Sequence, residues 1–330
     1  MKVLVTGANG LLASNLVREL LIAGYEVRGL VRENSNLLPL KKTGIELFKG
    51  DISNPGDVHK AIAGCNIVVH AAARTTQWPT HFQAYKKENV DATRLLLDEA
   101  VRMSIERFIF VSSANAFNPG SLTDPGTEQS SFNHAGKSGY MVSKYQAQKL
   151  VLDEFHHSGL HTLVVNPTFM LGKYDAKPSS GQIILMAQGK ILMGCPRGGK
   201  NFVHVADAAR GIVNAITLGK PGECYLLANE NLSYYEFFSR LRQVTGTPRR
   251  LFRLSADVIR TGGTLGTIYS KLTSGTVKLD RINAELLCTD NYYSPGKAVK
   301  ELKMPQTPVS KAIEDSLEWF GQMGYLSCRN

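Results

Sequence analysis

Residues 2–16, KVLVTGANGLLASNL, constrain the fold more than any other stretch of the chain. Val3, Leu4 and Val5 form a short apolar run that ends in Thr6 and Gly7, and a helical spacing of Leu11, Leu12, Leu16 and Leu20 begins a few residues later. That pattern reads as strand, glycine turn, helix. Gly7 and Gly10 leave the turn without side chains, so a pyrophosphate can approach the backbone and lie against the positive N-terminus of the helix. Tight turns also use glycine for steric reasons alone. What favours a phosphate cradle is its position, directly after the first strand of a βαβ unit. Ala13 takes the third small position and still lets the helix pack closely on the strand.

The alternation continues along the chain. Residues 26–31 (EVRGLV), 45–49, 66–70, 107–112 (RFIFVS) and 162–166 read as further strands, with helices over 57–63, 82–103 and 139–157 between most of them. The expected fold is α/β, a doubly wound parallel sheet with helices set on both faces by right-handed crossovers. After Pro167 the pattern is interrupted at Gly172 and over residues 178–181 and 194–199. The expected division is a nucleotide-binding body over residues 1–166 and a smaller C-terminal substrate lobe over 167–330, with some segments returning to the body. Helical spacing resumes at 205–218, 233–245, 256–272 with a break at Gly262 and Gly263, and 309–323, where Ile313, Leu317 and Phe320 share one face.

Composition narrows the function classes. A chain of 330 residues can bury about 75% of its unfolded surface, enough for one large core with a dependent lobe. The 38 basic side chains outnumber the 28 acidic ones, for a net charge of +10, which favours anionic partners. The basic residues are scattered, with only pairs at Lys41-Lys42, Lys86-Lys87 and Arg249-Arg250, so no nucleic-acid surface is expected. Cys65, Cys195, Cys224, Cys288 and Cys328 lie far apart and are odd in number, which suggests neither a disulfide framework nor a metal site. They read as reduced thiols of a cytoplasmic protein. The chain starts directly on its first strand and holds no apolar run of membrane-spanning length, so no membrane association is expected.

The chemistry-bearing constellation is Tyr140 and Lys144 on the helix over 139–157, together with Ser112 and Ser113 at the end of the strand over 107–112. Residues four apart share a helix face, so the Lys144 ammonium can lie near the Tyr140 phenol and favour its phenolate form. Ser113 stands at the carboxyl end of a parallel strand, the edge where ligands of such sheets bind, and can hydrogen-bond a reacting oxygen. A YxxxK spacing alone is commonplace and fits a surface tyrosine on a lysine stem. In the order phosphate turn, serine pair, YxxxK, the chain resembles the extended short-chain dehydrogenase/reductase superfamily, the NAD-dependent epimerase/dehydratase family, over nearly its whole length.

The resemblance implies a Rossmann-type body and specific roles. Tyr140 is then the proton donor, Lys144 lowers its pKa and holds the nicotinamide ribose, and Ser113 polarises the carbonyl. The cofactor cradle comprises Gly7, Ala8, Asn9, Gly10, Leu11, Leu12 and Ser112. Asp51 and Ile52 meet the adenine, Ala71, Ala72 and Ala73 are small residues over which the cofactor passes, and Asn89 is the family's helix asparagine. Asn166, Pro167 and Thr168 flank the nicotinamide. The alanines are equally explained by close packing, and Asn89 by a capping role. Residues 202–207 (FVHVAD) match a late strand-to-helix signature in which His204 is structural.

Cofactor choice turns on the end of the strand over 26–31, where Arg32 can pair with a 2′-phosphate and so favours NADP. Glu33 keeps NAD open, as an acidic partner for a 2′-hydroxyl. The VRGLVR, VSSANAF and VVNPTFMLG segments most resemble the dihydroflavonol-reductase-like group. This implies reduction of a small-molecule carbonyl, with Phe169, Met170, Tyr174 and Met193 as apolar walls or as ordinary core. The alternative is a nucleotide-sugar epimerase or dehydratase with the same triad. Against it, Lys200 and Asn201 stand where such enzymes usually carry an arginine, and no arginine precedes residues 292–297. A non-catalytic NADP sensor would be expected to lack part of the triad. Family dimers pair the helices that correspond to residues 82–103 and 139–157.

Overall fold

The computed structural model describes residues 1–75, 82–133, 137–187, 192–248, 250–273 and 279–326, with side chains at all of these except 270–273. Cys328 lies outside the described residues.

Six strands, β1 (Lys2–Thr6), β2 (Glu26–Val31), β3 (Glu46–Lys49), β4 (Ile67–His70), β5 (Arg107–Val111) and β6 (Thr162–Pro167), follow the expected alternation. Three more, β7 (Phe169–Leu171), β8 (Leu192–Cys195) and β9 (Gly199–His204), leave the sheet before β10 (Cys224–Leu227) returns to it as a seventh strand. The order is β10-β6-β5-β4-β1-β2-β3, parallel throughout. Alternate residues face opposite sides, and in the central strands β1, β4, β5 and β6 both sides are buried, which is why these read as apolar runs, whereas the edge strand β3 is largely exposed.

Val3, Val5, Ile67, Val69, Ile109 and Val111 point into one core with Leu12, Leu16 and Leu20 of α1 (Leu11–Ile22). Leu4, Val68, Phe108 and Phe110 point into the other. That second core is closed by α2 (Pro55–Ile62), by α3 (Phe82–Tyr85) continuing into α4 (Ala92–Arg102), and by α5 (Gly139–Ser158).

The rest of the chain builds the lobe and reinforces the body. α6 (Gln182–Met186) belongs to the lobe, whereas α7 (Val205–Leu218) packs beside α1 on the first face. Next come β11 (Glu230–Ser233), α8 (Tyr234–Thr245), β12 (Arg250–Arg253), α9 (Ala256–Thr273), α10 (Arg281–Cys288) and β13 (Asp290–Asn291). α11 (Gly296–Leu302) returns to the body through Ala298 and Leu302, and α12 (Val309–Gln322) packs on the lobe. The lobe strands pair as β11-β9-β13 with β7 beside β9, and as β12-β8. Their core is a third apolar cluster around Phe202, Phe237, Leu241 and Ile313.

Two expectations change. The break expected at Gly262 and Gly263 is absent, because α9 runs through both. A Cβ on Gly263 would lie 2.4 Å from that of Ala284, so this glycine serves the close approach of α10. The single helix expected over 82–103 contains a wider π-helical turn, Lys86–Asp91, which turns Asn89 inward.

Candidate active site

The glycine turn is built as its composition requires. Gly7 adopts φ +64°, and a Cβ there would lie 2.9 Å from Ala72 Cα, so only glycine fits. The amides of Gly7 and Ala8 donate to the Leu30 carbonyl at 2.9 and 3.3 Å, and that of Gly10 donates to the Gly7 carbonyl at 2.9 Å. Gly10 starts α1 without a side-chain cap, and the first turn carries no acid. The positive end of α1 therefore faces the cleft uncompensated, as an anion site requires.

This cleft, of about 1170 Å³, runs along the carboxyl ends of the parallel strands. It brings together Gly7, Asn9, Gly10, Leu11, Leu12, Arg32, Asp51, Ile52, Ala71, Ala72, Ala73, Ser112, Ser113, Tyr140, Lys144, Pro167 and Thr168. Ala8, Asn89 and Asn166 do not line it and are buried behind it.

Ser138 caps the start of α5 by accepting from the Met141 amide, which places Tyr140 and Lys144 in the first turns of the helix. Ser113 at the end of β5 hydrogen-bonds the Tyr140 phenol, and its oxygen also accepts from the Asn115 amide at 3.2 Å. The expected fall in the Tyr140 pKa does not occur in the protein alone. Burial pushes the phenol up to about 12, only partly opposed by the Ser113 hydrogen bond. Lys144 is 2% exposed. Its ammonium donates to the Val111 carbonyl at 2.6 Å and lies 4.4 Å from the centre of the Phe110 ring. Burial pushes it down to about 7, so near neutrality its positive charge is only partly present to draw the phenol toward phenolate.

Behind the cleft runs a polar network that the sequence did not disclose. The Ala72 amide donates to Thr6 Oγ1 at 3.1 Å, which pairs with His70 Nδ1 at 2.8 Å. His70 Nε2 pairs with Thr93 Oγ1 at 3.1 Å, and Thr93 donates to the Asn89 carbonyl at 2.7 Å. Burial pushes His70 down to about 3, so the imidazole is neutral. Asn89 accepts from the Arg74 amide at 2.7 Å and donates to Ser143 Oγ at 2.9 Å, tying the segment after β4 to α5. Asn166 donates to the Ser113 carbonyl at 2.9 Å and to Gln148 at 2.7 Å. Two buried oxygens at this edge, Ser112 Oγ and Asn166 Oδ1, have no hydrogen-bond partner among the described residues. Unmet polar atoms, a side-chain-free turn and an uncapped helix end together fit a dinucleotide.

At the far end of the cleft Arg32 pairs with Glu88 at 2.7 Å, and Arg74 Nε donates to the same carboxylate at 2.7 Å. Glu33 pairs with Lys49 at 2.8 Å. Asp51 accepts from the Ser53 amide and hydroxyl at 2.8 and 2.6 Å, which holds its carboxyl below the usual range. On the lobe side Phe169 and Met170 line the cleft, whereas Met193 belongs to the lobe core and Tyr174 lies outside the cleft. Lys200 Nζ stands 5.3 Å from the Phe169 ring centre, pushed down to about 8 by burial. His204 caps α7 through Nδ1 and pairs with Asp315 at 3.0 Å, a structural role.

The model of the NAD dependent epimerase/dehydratase family matches residues 3–228. The chain belongs to this family. A Synechocystis sp. relative provisionally named dihydroflavonol 4-reductase is 32% identical over 337 residues, covering 98% of this chain and 95% of that protein. Sterol demethylase protein B of Methylococcus capsulatus is 28% identical over 332 residues, covering 99% of this chain and all of its own length. The crystal structure of a protein called gox2253 superposes with a TM-score of 0.87 at 29% identity, covering 98% of this chain and 99% of that one. As an epimerase/dehydratase-family protein with such relatives, the chain is an NAD(P)-dependent oxidoreductase.

Proposed function

We propose that this family member is an NADP-dependent carbonyl reductase of the dihydroflavonol-reductase-like kind. The observation that carries this reading is a Tyr140 phenol that keeps its proton, hydrogen-bonded to Ser113 and facing a cleft walled by Phe169 and Met170. Ser113 orients the substrate oxygen, and Tyr140 Oη delivers its proton to that oxygen as it gains charge. Gly7, Gly10 and the start of α1 would hold the pyrophosphate, with Ala71, Ala72 and Ala73 leaving room beside it. Lys144 would hold the nicotinamide ribose, and Pro167 and Thr168 would flank the nicotinamide, with Asn166 behind them bonded to the Ser113 carbonyl. When bound, the dinucleotide supplies the hydride. The body over 1–166 carries this machinery and the segment over 167–330 shapes the substrate side. Among the described residues Cys65, Cys195, Cys224 and Cys288 form no disulfide, which supports a cytoplasmic location.

NADP is the preferred dinucleotide in this reading. Glu33, the acid that would favour NAD, and Arg32 are each tied by one exposed ion pair, to Lys49 and to Glu88, but Glu88 is also held by Arg74, so Arg32 can turn to a 2′-phosphate without leaving that carboxylate unpaired. Arg32→Ala is expected to raise the KM for NADPH by on the order of 10-fold and to leave that for NADH unchanged, measured in steady state with one substrate.

One observation favours the nucleotide-sugar alternative. Lys200 has no carboxylate partner among the described residues and lies over Phe169, at the cleft wall. Assays of NADPH and NADH consumption with aldehydes, diketones, dihydroflavonols and UDP- or GDP-sugars separate the two. Net NADPH loss with a simple carbonyl is expected. Sugar conversion without net cofactor loss overturns the reductase reading and makes Lys200 the residue to substitute first.

A further inference from the structure

A second groove, of about 720 Å³, opens beside the far end of α1 and shares no lining residue with the catalytic cleft. Its walls come from α1, from the connection between β2 and β3, from Tyr174 after β7, and from the end of α12. Three cations line it, Arg18, Lys41 and Lys42, and no acid does. None of the three takes part in an ion pair among the described residues. The Arg18 guanidinium is the ordered one. It donates to the Ser14 carbonyl at 2.7 Å and lies 3.6 Å over the Tyr174 ring, which fixes its plane.

A second, independent feature lies in the same wall. Trp319 is 5% exposed, and its indole Nε1 is buried with no hydrogen-bond partner among the described residues. An indole N–H left unmet is costly, so a ligand acceptor there is favoured. Besides the neutral polar Thr43 and Gln322, the remaining wall is apolar and open, with Ile22 69% exposed and Leu38 38% exposed. Single exposed apolar residues are ordinary, but here they continue a cavity whose charged side chains are all cationic.

We propose that this groove binds an amphipathic anion, a carboxylate carried on an aliphatic body. A planar carboxylate matches the flat, ring-stacked Arg18 and accepts from the Trp319 indole, with Lys41 and Lys42 adding charge from the rim. The aliphatic body lies along Ile22 and Leu38. Tyr174 lines this groove while the adjacent Asp175 lines the catalytic cleft, so the two cavities share one short piece of backbone.

The test titrates the full-length protein with octanoate, octanol and acetate, followed by calorimetry and by the indole N–H resonance of Trp319, assigned with Trp319→Phe. Octanoate is expected to saturate and shift that resonance, and to bind at least about tenfold more tightly than octanol or acetate. Arg18→Gln and, at the exposed rim, Lys41→Gln are each expected to weaken octanoate while leaving NADPH affinity unchanged. The proposal is overturned if octanol binds as well as octanoate, if neither variant weakens binding, or if NADPH displaces octanoate competitively and so places it in the catalytic cleft.

Discussion

Replacing Tyr140 by phenylalanine is expected to lower turnover by about 10²- to 10⁴-fold while dinucleotide affinity stays at the wild-type level. The ring of the variant keeps its packing against Tyr85, 6.4 Å away between centroids, and only the hydroxyl is lost. Ser113 loses one hydrogen bond but retains the one it accepts from the Asn115 amide, so the serine stays placed. Steady-state rates and a fluorescence titration with NADPH read the two effects separately. Unchanged turnover removes the proton-donor role and revives the non-catalytic sensor, and loss of both makes the phenol a structural group. The same chemistry fixes a pH dependence. With the phenol held up to about 12 by burial, carbonyl reduction keeps its proton donor throughout the neutral range. Alcohol oxidation needs the deprotonated group, so its rate is expected to rise with pH across that range.

The parts of this molecule that were legible in the sequence are the local ones. Gly7, Gly10 and the pair Tyr140 and Lys144 belong to short motifs whose geometry follows from neighbouring residues, and the central strands β1, β4, β5 and β6 follow from apolar runs buried on both faces. The seventh strand, β10, is a four-residue stretch, CYLL, too short to separate by pattern from a buried piece of helix. Gly262 and Gly263 read as a break because glycine weakens helices. The neighbour that justifies them, Ala284, lies on another helix and leaves no local trace.

The electrostatics were hidden for the same reason. Arg32 was visible as a cation at the end of β2, but the Glu88 that holds it is 56 residues away in sequence. His70 ends an ordinary apolar strand, and the Thr6 and Thr93 that fix its tautomer come from β1 and α4. Lys144 shares a helix face with Tyr140 as expected. Its charge is not legible in that spacing, because burial, which no spacing rule reports, outweighs a favourable neighbour.

That burial leads to the second large effect. Lys144→Met is expected to abolish most turnover, by about 100-fold or more, and at the same time to stabilise the protein without its cofactor. Folding takes the ammonium out of water and moves its pKa from the usual 10.5 to about 7. Between those two values the unfolded chain holds a proton that the folded protein has lost, so wild-type stability rises with pH across the window. Below about pH 7 both states are protonated and the full penalty of burying the charge is present. Methionine fills similar space against Phe110 without a charge, and gives up only the bond to the Val111 carbonyl. Denaturant midpoints of both proteins at pH 6 and pH 10 check this. The variant is expected to gain on the order of 2–4 kcal/mol at the lower pH and little at the higher. A variant less stable than wild type at pH 6 would mean that the carbonyl bond outweighs desolvation, and that the wild-type protein keeps its lysine charged at no cost to the fold.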